Sequence, residues 1–242
     1  MREYFSKAEW YVAAGEEHKS RGEQCQDSVV HLKEGSLDFY GVADGQSGKM
    51  YSHIGGKEVM KSIFEYIREK TLETIITHPY RDEIRYELAR TIRERLTELS
   101  AQHEADAGEF SSTLVIFVMD LLEGTYLTIH LGDGGILVKR RDGKIGMISK
   151  PENGLTRQYT WLTTSNDLID HLRLKTGRID DYERVLLFSD GASPLCCGSN
   201  IQGHAMQLLT ENVCPDEVFS YMESCGHSDD ASCIIVDINQ TA

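Results

Sequence analysis

Three times in this chain an apolar run stops abruptly at Asp-Gly. Leu37–Val42 leads to Asp44-Gly45, Tyr126–His130 leads through Leu131 and Gly132 to Asp133-Gly134, and Val185–Ser189 leads to Asp190-Gly191. Short apolar runs bounded by turn residues read as buried strands. A single Asp-Gly is most simply a tight turn, chosen for its backbone angles. Three strands ending alike are harder to dismiss as turns. A carboxylate held at a rigid strand end, beside a glycine whose carbonyl is unobstructed, suits a hard divalent cation. Mg²⁺ and Mn²⁺ take oxygen ligands of this kind.

The rest of the chain supplies a frame for these ends. Tyr11–Ala14 is an opening strand and Gly15–Gln24 is polar. Val29–Leu32 and Leu37–Val42, joined by Glu34-Gly35-Ser36, form an antiparallel pair that brings Asp27 near Asp44. After Gly55-Gly56 the spacing of Val59, Ile63 and Ile67 predicts a helix over Lys57–Thr77. Beyond Pro79, Ile84, Leu88, Ile92, Leu96 and Leu99 stripe a second helix over Arg81–Gln102. Such a pair can cover one face of a sheet. Thr113–Met119, Tyr126–His130, Ile136–Arg140 and Ile145–Ile148 read as an antiparallel meander. Pro151–Asp181 has no strong period and is expected as a long loop or small subdomain. Two weaker helices are expected near Ile201–Thr210 and Pro215–Ser224, before a last strand, Ser232–Val236. With no internal repeat or linker, the chain reads as one domain over residues 1–242.

Asp27, Asp44, Asp133, Asp190, Asp229 and Asp230 all lie at the ends of apolar strands. Gathered at one edge of a sandwich, they would repel one another, and ionisation would be partly suppressed unless cations were bound. Two ions about 3.5 to 4 Å apart can activate a water and neutralise a phosphate ester. No serine or cysteine nucleophile is needed, and no GxSxG elbow is present. Gly48-Lys49 is not a phosphate loop, because Ala43 stands where its first glycine should be.

Charge and cysteine usage narrow the partners. A formal net charge of -14 argues against a nucleic-acid surface. The six cysteines form no CxxC pair, so they are read as reduced thiols of a cytoplasmic protein. A zinc site from Cys225, His227 and Cys196-Cys197 is the less favoured reading. MREYFSKAEW is too polar for a signal peptide, and no run approaches the about 18 apolar residues of a membrane span.

In chain order, CQDS (Cys25–Ser28), FYGVADGQSG (Phe39–Gly48), SSTLVIFV (Ser111–Val118), LTIHLGDGGIL (Leu127–Leu137), LLFSDGASP (Leu186–Pro194) and SDDASCIIV (Ser228–Val236) resemble the type 2C metal-dependent serine/threonine protein phosphatases, especially a bacterial branch. The resemblance implies an α+β fold: a four-layer α-β-β-α sandwich of two antiparallel sheets flanked by helix pairs, with a dinuclear Mn²⁺ or Mg²⁺ site at one edge. It implies hydrolysis of phosphoserine or phosphothreonine by attack of a metal-bound water, on a phosphorylated protein substrate paired with a Ser/Thr kinase. Carried across, Asp44 bridges two ions, Gly45 offers its carbonyl to one, and Asp190 and Asp229 bind the second. Asp27 holds ion-bound water, and Asp133 joins Asp190 at a weaker third ion. Pro151–Asp181 falls where members carry a flap beside the site, within reach of Tyr159 and Trp161, although Trp161 is better read as the core of the flap.

Three departures from the family pattern stand out. Gln46 occupies the place of a histidine proposed as general acid in some members, and His53 is a candidate substitute, with packing as the plainer reading. Gln26 replaces an acidic residue. Gly22 takes the place of a phosphate-binding arginine, and Arg21, one residue further off, is the candidate for that role because a loop can absorb one residue. These departures motivate two alternatives: a weakly active binding or regulatory module, and a hydrolase of small phosphate esters.

Overall fold

In the computed structural model, residues 4–153, 159–192, 220, 223–224, 226 and 228–240 are described. Runs rich in β-branched and aromatic residues form β1 (Tyr4–Ala13), β2 (Ser28–Glu34), β3 (Leu37–Ala43), β4 (Leu114–Asp120), β5 (Thr125–Leu131), β6 (Gly135–Arg140), β7 (Ile145–Ser149), β8 (Arg173–Arg178), β9 (Tyr182–Phe188) and β10 (Ala231–Gln240). Among the described residues these make two antiparallel five-stranded sheets, ordered β1-β10-β9-β6-β7 and β2-β3-β4-β5-β8. The sheets pack face to face. Tyr40, Val42, Val115 and Phe117 of one meet Ile136, Val185, Leu187 and Ile234 of the other. The central strands are apolar on both faces because both faces are covered: six of the seven residues of β4 are buried.

The outer face of the second sheet packs on α2 (Ser52–Lys70) and α4 (Arg81–His103) through Phe39, Ile116, Ile63 and Leu88. The other helices are short: α1 (Glu16–Arg21), α3 (Leu72–Thr77) and α5 (Leu168–His171). On the outer face of the first sheet Leu186, Phe188 and Ile235 are buried. The helices expected near Ile201–Thr210 and Pro215–Ser224 fall largely outside the described residues. Among the described residues no helix is long and apolar enough to cross a membrane.

Several expectations are corrected. The first strand begins at Tyr4 rather than Tyr11, and pairs along its length with β10. Ser6, Lys7 and Glu9 disguise it because it is an edge strand. Polar Gly15–Gln24 holds α1, which ends at Gly22 in the left-handed region (φ 69). The helix expected from Lys57 starts at Ser52 and contains both glycines. A Cβ on Gly55 would lie 2.0 Å from the Phe110 carbonyl oxygen, and one on Gly56 2.8 Å from the Ala43 Cβ. These glycines are where α2 comes down onto the strand ends, not breakers. The expected single helix also divides at Thr71 (φ 64), whose hydroxyl caps α3.

The meander is not one sheet. β4 and β5 pair in the second sheet, β6 and β7 in the first. The chain crosses between them at Gly132 (φ 102), which leaves Asp133 at the edge of the sandwich. Part of Pro151–Asp181 is also sheet: β8 pairs with β5 from Thr125↔Arg178 to His130↔Arg173. Its arginines, lysine and threonine hide the period of an edge strand. Trp161 stacks on His171, with centroids 3.5 Å apart and planes at 9°, and packs against the main core.

Candidate metal centre

Register delivers the first carboxylates. Ser28 pairs with Ala43, so Asp27 and Asp44 adjoin just past the paired ends of β2 and β3. The Asp44 N–H donates to Thr113 Oγ1 at 3.0 Å, and the Thr113 N–H donates to the Asp44 carbonyl at 2.8 Å. The end of β3 is thereby clamped to the start of β4. At Gly45 an added Cβ would meet the Gln26 carbonyl oxygen at 2.5 Å and Ser52 Oγ at 2.6 Å. Only glycine fits between the Asp27 loop and the first turn of α2.

Asp190 follows β9. Ser189 and Ser232 lock β9 to β10: the Ser189 N–H donates to the Ser232 carbonyl at 2.9 Å, and the Ser232 N–H to Ser189 Oγ at 3.0 Å. Ser232 Oγ also donates to Asp27 Oδ2 at 2.6 Å, joining the two sheets beneath the carboxylates. Asp133 arrives from the crossover, where Gly134 lies against Phe188.

One oxygen each from Asp44, Asp133 and Asp190 lies within 4.8 Å of the others. Burial first, then the charges of Asp27 and Asp190, push Asp44 well above the usual carboxylate range. Burial raises Asp27 to about 7, although the Ser232 and Ser189 hydroxyls pull it down. Asp190 is raised to about 6 by burial, Asp133 and Asp229. Oδ1 of Asp133 and Oδ1 of Asp190 are buried without a hydrogen-bond partner. A cluster that costs this much to ionise, with lone pairs unmet, fits a hard cation held by oxygen ligands. The residues of the alternative zinc site, Cys196, Cys197, Cys225 and His227, lie outside the described residues.

A cavity of about 730 Å³ opens over the cluster, lined by Asp44, Gly45, Gln46, Asp133, Asp190 and Asp229, with Tyr159, Trp161 and a hydroxyl-rich wall opposite. Asp229 is exposed in this cavity, outside the close triple, and its Oδ1 accepts the Asp230 N–H at 2.9 Å. Asp230 itself is turned away from the cavity. Its buried carboxylate accepts from the Gly15 N–H (2.8 Å) and the Gln26 N–H (2.5 Å) and pairs with His18 Nδ1 (2.8 Å). It anchors the loop that carries Asp27.

Arg21 is not brought to the cavity. Its exposed guanidinium pairs with Glu17 at 3.6 Å and Glu23 at 3.4 Å. His53 is also absent from the lining: its ring lies 2.8 Å from Gln24 Nε2 and 3.3 Å from Gln26 Oε1. Burial and Lys57 lower its pKa, so it is neutral near pH 7. The supports Thr113, Ser189 and Ser232 and the wall residues Thr164–Asp167 were not singled out by sequence. A hydroxyl at a strand start carries no periodic signal.

A face-to-face antiparallel sandwich with converging carboxylates under an edge cavity defines the class, a protein with a cation-binding centre at one edge of a two-sheet fold. The chain belongs to the protein phosphatase 2C family, whose model matches residues 14–238. It thereby takes its place among metal-dependent serine/threonine phosphoprotein phosphatases. Solved structures share the fold at low identity. A bacterial serine phosphatase superposes with TM-score 0.70 at 15% identity, over 97% of this chain and 98% of that one. Stp1 from Staphylococcus aureus, a serine/threonine phosphatase, gives 0.69 at 15%, over 97% and 96%. PppA, described as a regulatory component of the type VI secretion system (T6SS) in Pseudomonas aeruginosa, gives 0.67 at 16%, over 99% and 100%. No curated protein matches by sequence at a significant level.

Proposed function

We propose that this chain is a Mn²⁺- or Mg²⁺-dependent phosphatase of phosphoserine and phosphothreonine in proteins, acting in signalling opposite a Ser/Thr kinase in a bacterial cytoplasm. The observation that carries the metal assignment is the convergence of Asp44, Asp133 and Asp190 oxygens within 4.8 Å, two of them from carboxylates with a buried, unpartnered Oδ1. Asp44 and the Gly45 carbonyl would hold the ion pair, Asp190 and Asp229 would complete it, and Asp133 with Asp190 would serve a third, weaker ion. When bound, such ions lower the pKa of water and neutralise charge on a phosphoryl group.

The chain's own residues do the positioning. Thr113 fixes the backbone of Asp44. Asp27, held by Ser232 next to Asp44, would hold ion-bound water. A side chain at Gly45 would strike the Gln26 carbonyl and Ser52, so glycine lets the backbone pass here and its carbonyl would serve as an ion ligand. Gln46 lines the cavity and can orient a phosphate or a water through its amide, but it has no proton to give at neutral pH.

Calorimetric titration of the metal-free protein with Mn²⁺ tests the ligand set. At least two ions should bind; Asp44→Asn should lose both, and Asp229→Asn should keep one. Absence of saturable binding would remove the basis of the assignment. One observation favours a second reading, a weakly active regulatory module: no arginine or lysine lines the cavity among the described residues, and Arg21 is occupied by Glu17 and Glu23.

A further inference from the structure

The wall facing the carboxylates is built, not draped. The Thr163 N–H donates to the Ser112 carbonyl at 2.9 Å, and the Ser112 N–H donates to Thr163 Oγ1 at 3.2 Å. The Ser111 and Thr164 hydroxyls lie 2.6 Å apart. From α4, Arg93 Nη2 donates to the Asn166 carbonyl at 3.0 Å. Ser111 and Ser112 directly precede Thr113, the residue that clamps Asp44. The wall and the metal centre therefore share one footing.

Asp167 closes this wall and opens α5. An aspartate in that place ordinarily accepts a backbone N–H of the first turn. Here the side chain makes no such bond; only its backbone carbonyl serves the helix, accepting from the Asp170 N–H at 3.0 Å. The exposed carboxylate lines the cavity. Among the described lining residues five are carboxylates, Asp44, Asp133, Asp167, Asp190 and Asp229, and none is Lys, Arg or His. Asp44, Asp133, Asp190 and Asp229 are the carboxylates assigned to ions in the reading above. Asp167 is left over, and a phosphate dianion adds further negative charge. A cation supplied by the substrate balances this excess. Tyr159, on the same rim and 64% exposed, offers a ring face to such a side chain.

Resting on the phosphatase reading above, we infer that Asp167 makes this enzyme select phosphorylated segments that carry a lysine or arginine beside the phosphorylated residue. The test compares Mn²⁺-dependent kcat/KM for two phosphothreonine peptides, one flanked by arginines and one by glutamates, in the parent, Asp167→Asn, Asp167→Lys and Glu69→Lys. Glu69, exposed near the far end of α2, repeats the charge change away from the cavity. One exposed ion pair corresponds to a preference of about two- to fivefold. The parent should prefer the arginine peptide by that factor. Asp167→Asn should abolish the preference, Asp167→Lys should invert it, and Glu69→Lys should retain it.

Equal turnover of the two peptides by the parent overturns the inference, as does a preference that survives in both Asp167 variants. Loss of preference in Glu69→Lys overturns it too, by assigning the effect to overall charge. p-Nitrophenyl phosphate separates the two levels. Metal-dependent turnover of this ester without peptide discrimination overturns the role of Asp167 alone; no turnover of any substrate overturns the phosphatase reading and this inference with it.

Discussion

At the scale of single residues, the centre depends on atoms that are missing as much as on carboxylates. A Cβ at Gly45 would enter the space of the Gln26 carbonyl and Ser52 Oγ, at 2.5 and 2.6 Å. Forcing a side chain into such a site costs about 1–3 kcal/mol. Gly45→Ala should therefore lower the thermal midpoint and weaken Mn²⁺ binding together. Gly146→Ala, with nothing within 4 Å of its added Cβ, should do neither. Equal behaviour of the two variants would contradict the packing assigned to Gly45. Asp44, Asp133 and Asp190 could be read from sequence because strand-then-Asp-Gly is a local pattern. Their supports could not. Thr113, Ser189 and Ser232 act across strands, and Asp230 looks like Asp229 until its partners His18, Gly15 and Gln26 are in view.

At the scale of elements, the interior strands and the two long helices carry clear periods, whereas the edge strands β1 and β8 do not. An edge strand meets solvent, so its polar residues break the alternation that betrays a buried one. β3 carries an acid that joins both sheets. Asp38, buried in β3, accepts from Ser6 of β1, from Lys33 of β2 at 3.1 Å, and pairs with His31 of β2 at 2.8 Å. Burial alone would raise its pKa; hydrogen bonds from His31, Ser6 and Lys33 outweigh it and hold the carboxyl below its ordinary 3.8. The unfolded chain therefore takes up this proton first as pH falls. The stability Asp38 contributes is complete above the unfolded value and is lost as pH drops through the depressed folded one. Asp38→Asn should be less stable than the parent at neutral pH, and should show a shallower loss of stability below about pH 4. Urea unfolding across pH measures both, and parallel curves for parent and variant would contradict the account.

At the scale of the whole molecule, a chain of net charge -14 gathers carboxylates from both sheets at one edge of the sandwich. The partition of strands between sheets was hidden from sequence, because the turn at Asp133 has the length of a hairpin yet crosses from one sheet to the other. Packing of two apolar faces, not the local turn, decides that crossing. The same convergence makes the metal-free fold carry repulsion that cations relieve. Ions that bind only the folded state stabilise it by about 2.7 kcal/mol at one hundred times Kd. Mn²⁺ should accordingly raise the thermal midpoint of the parent. Asp44→Asn should melt higher than the parent without metal and respond little to Mn²⁺; an unchanged Mn²⁺ response in that variant would remove Asp44 from the centre. The central claim is tested most directly by hydrolysis of a phosphothreonine peptide, measured with Mn²⁺ and with chelator, for the parent and for Asp190→Asn. The account predicts turnover that requires Mn²⁺ and collapses in the variant. Turnover that persists in chelator and survives the substitution would contradict it.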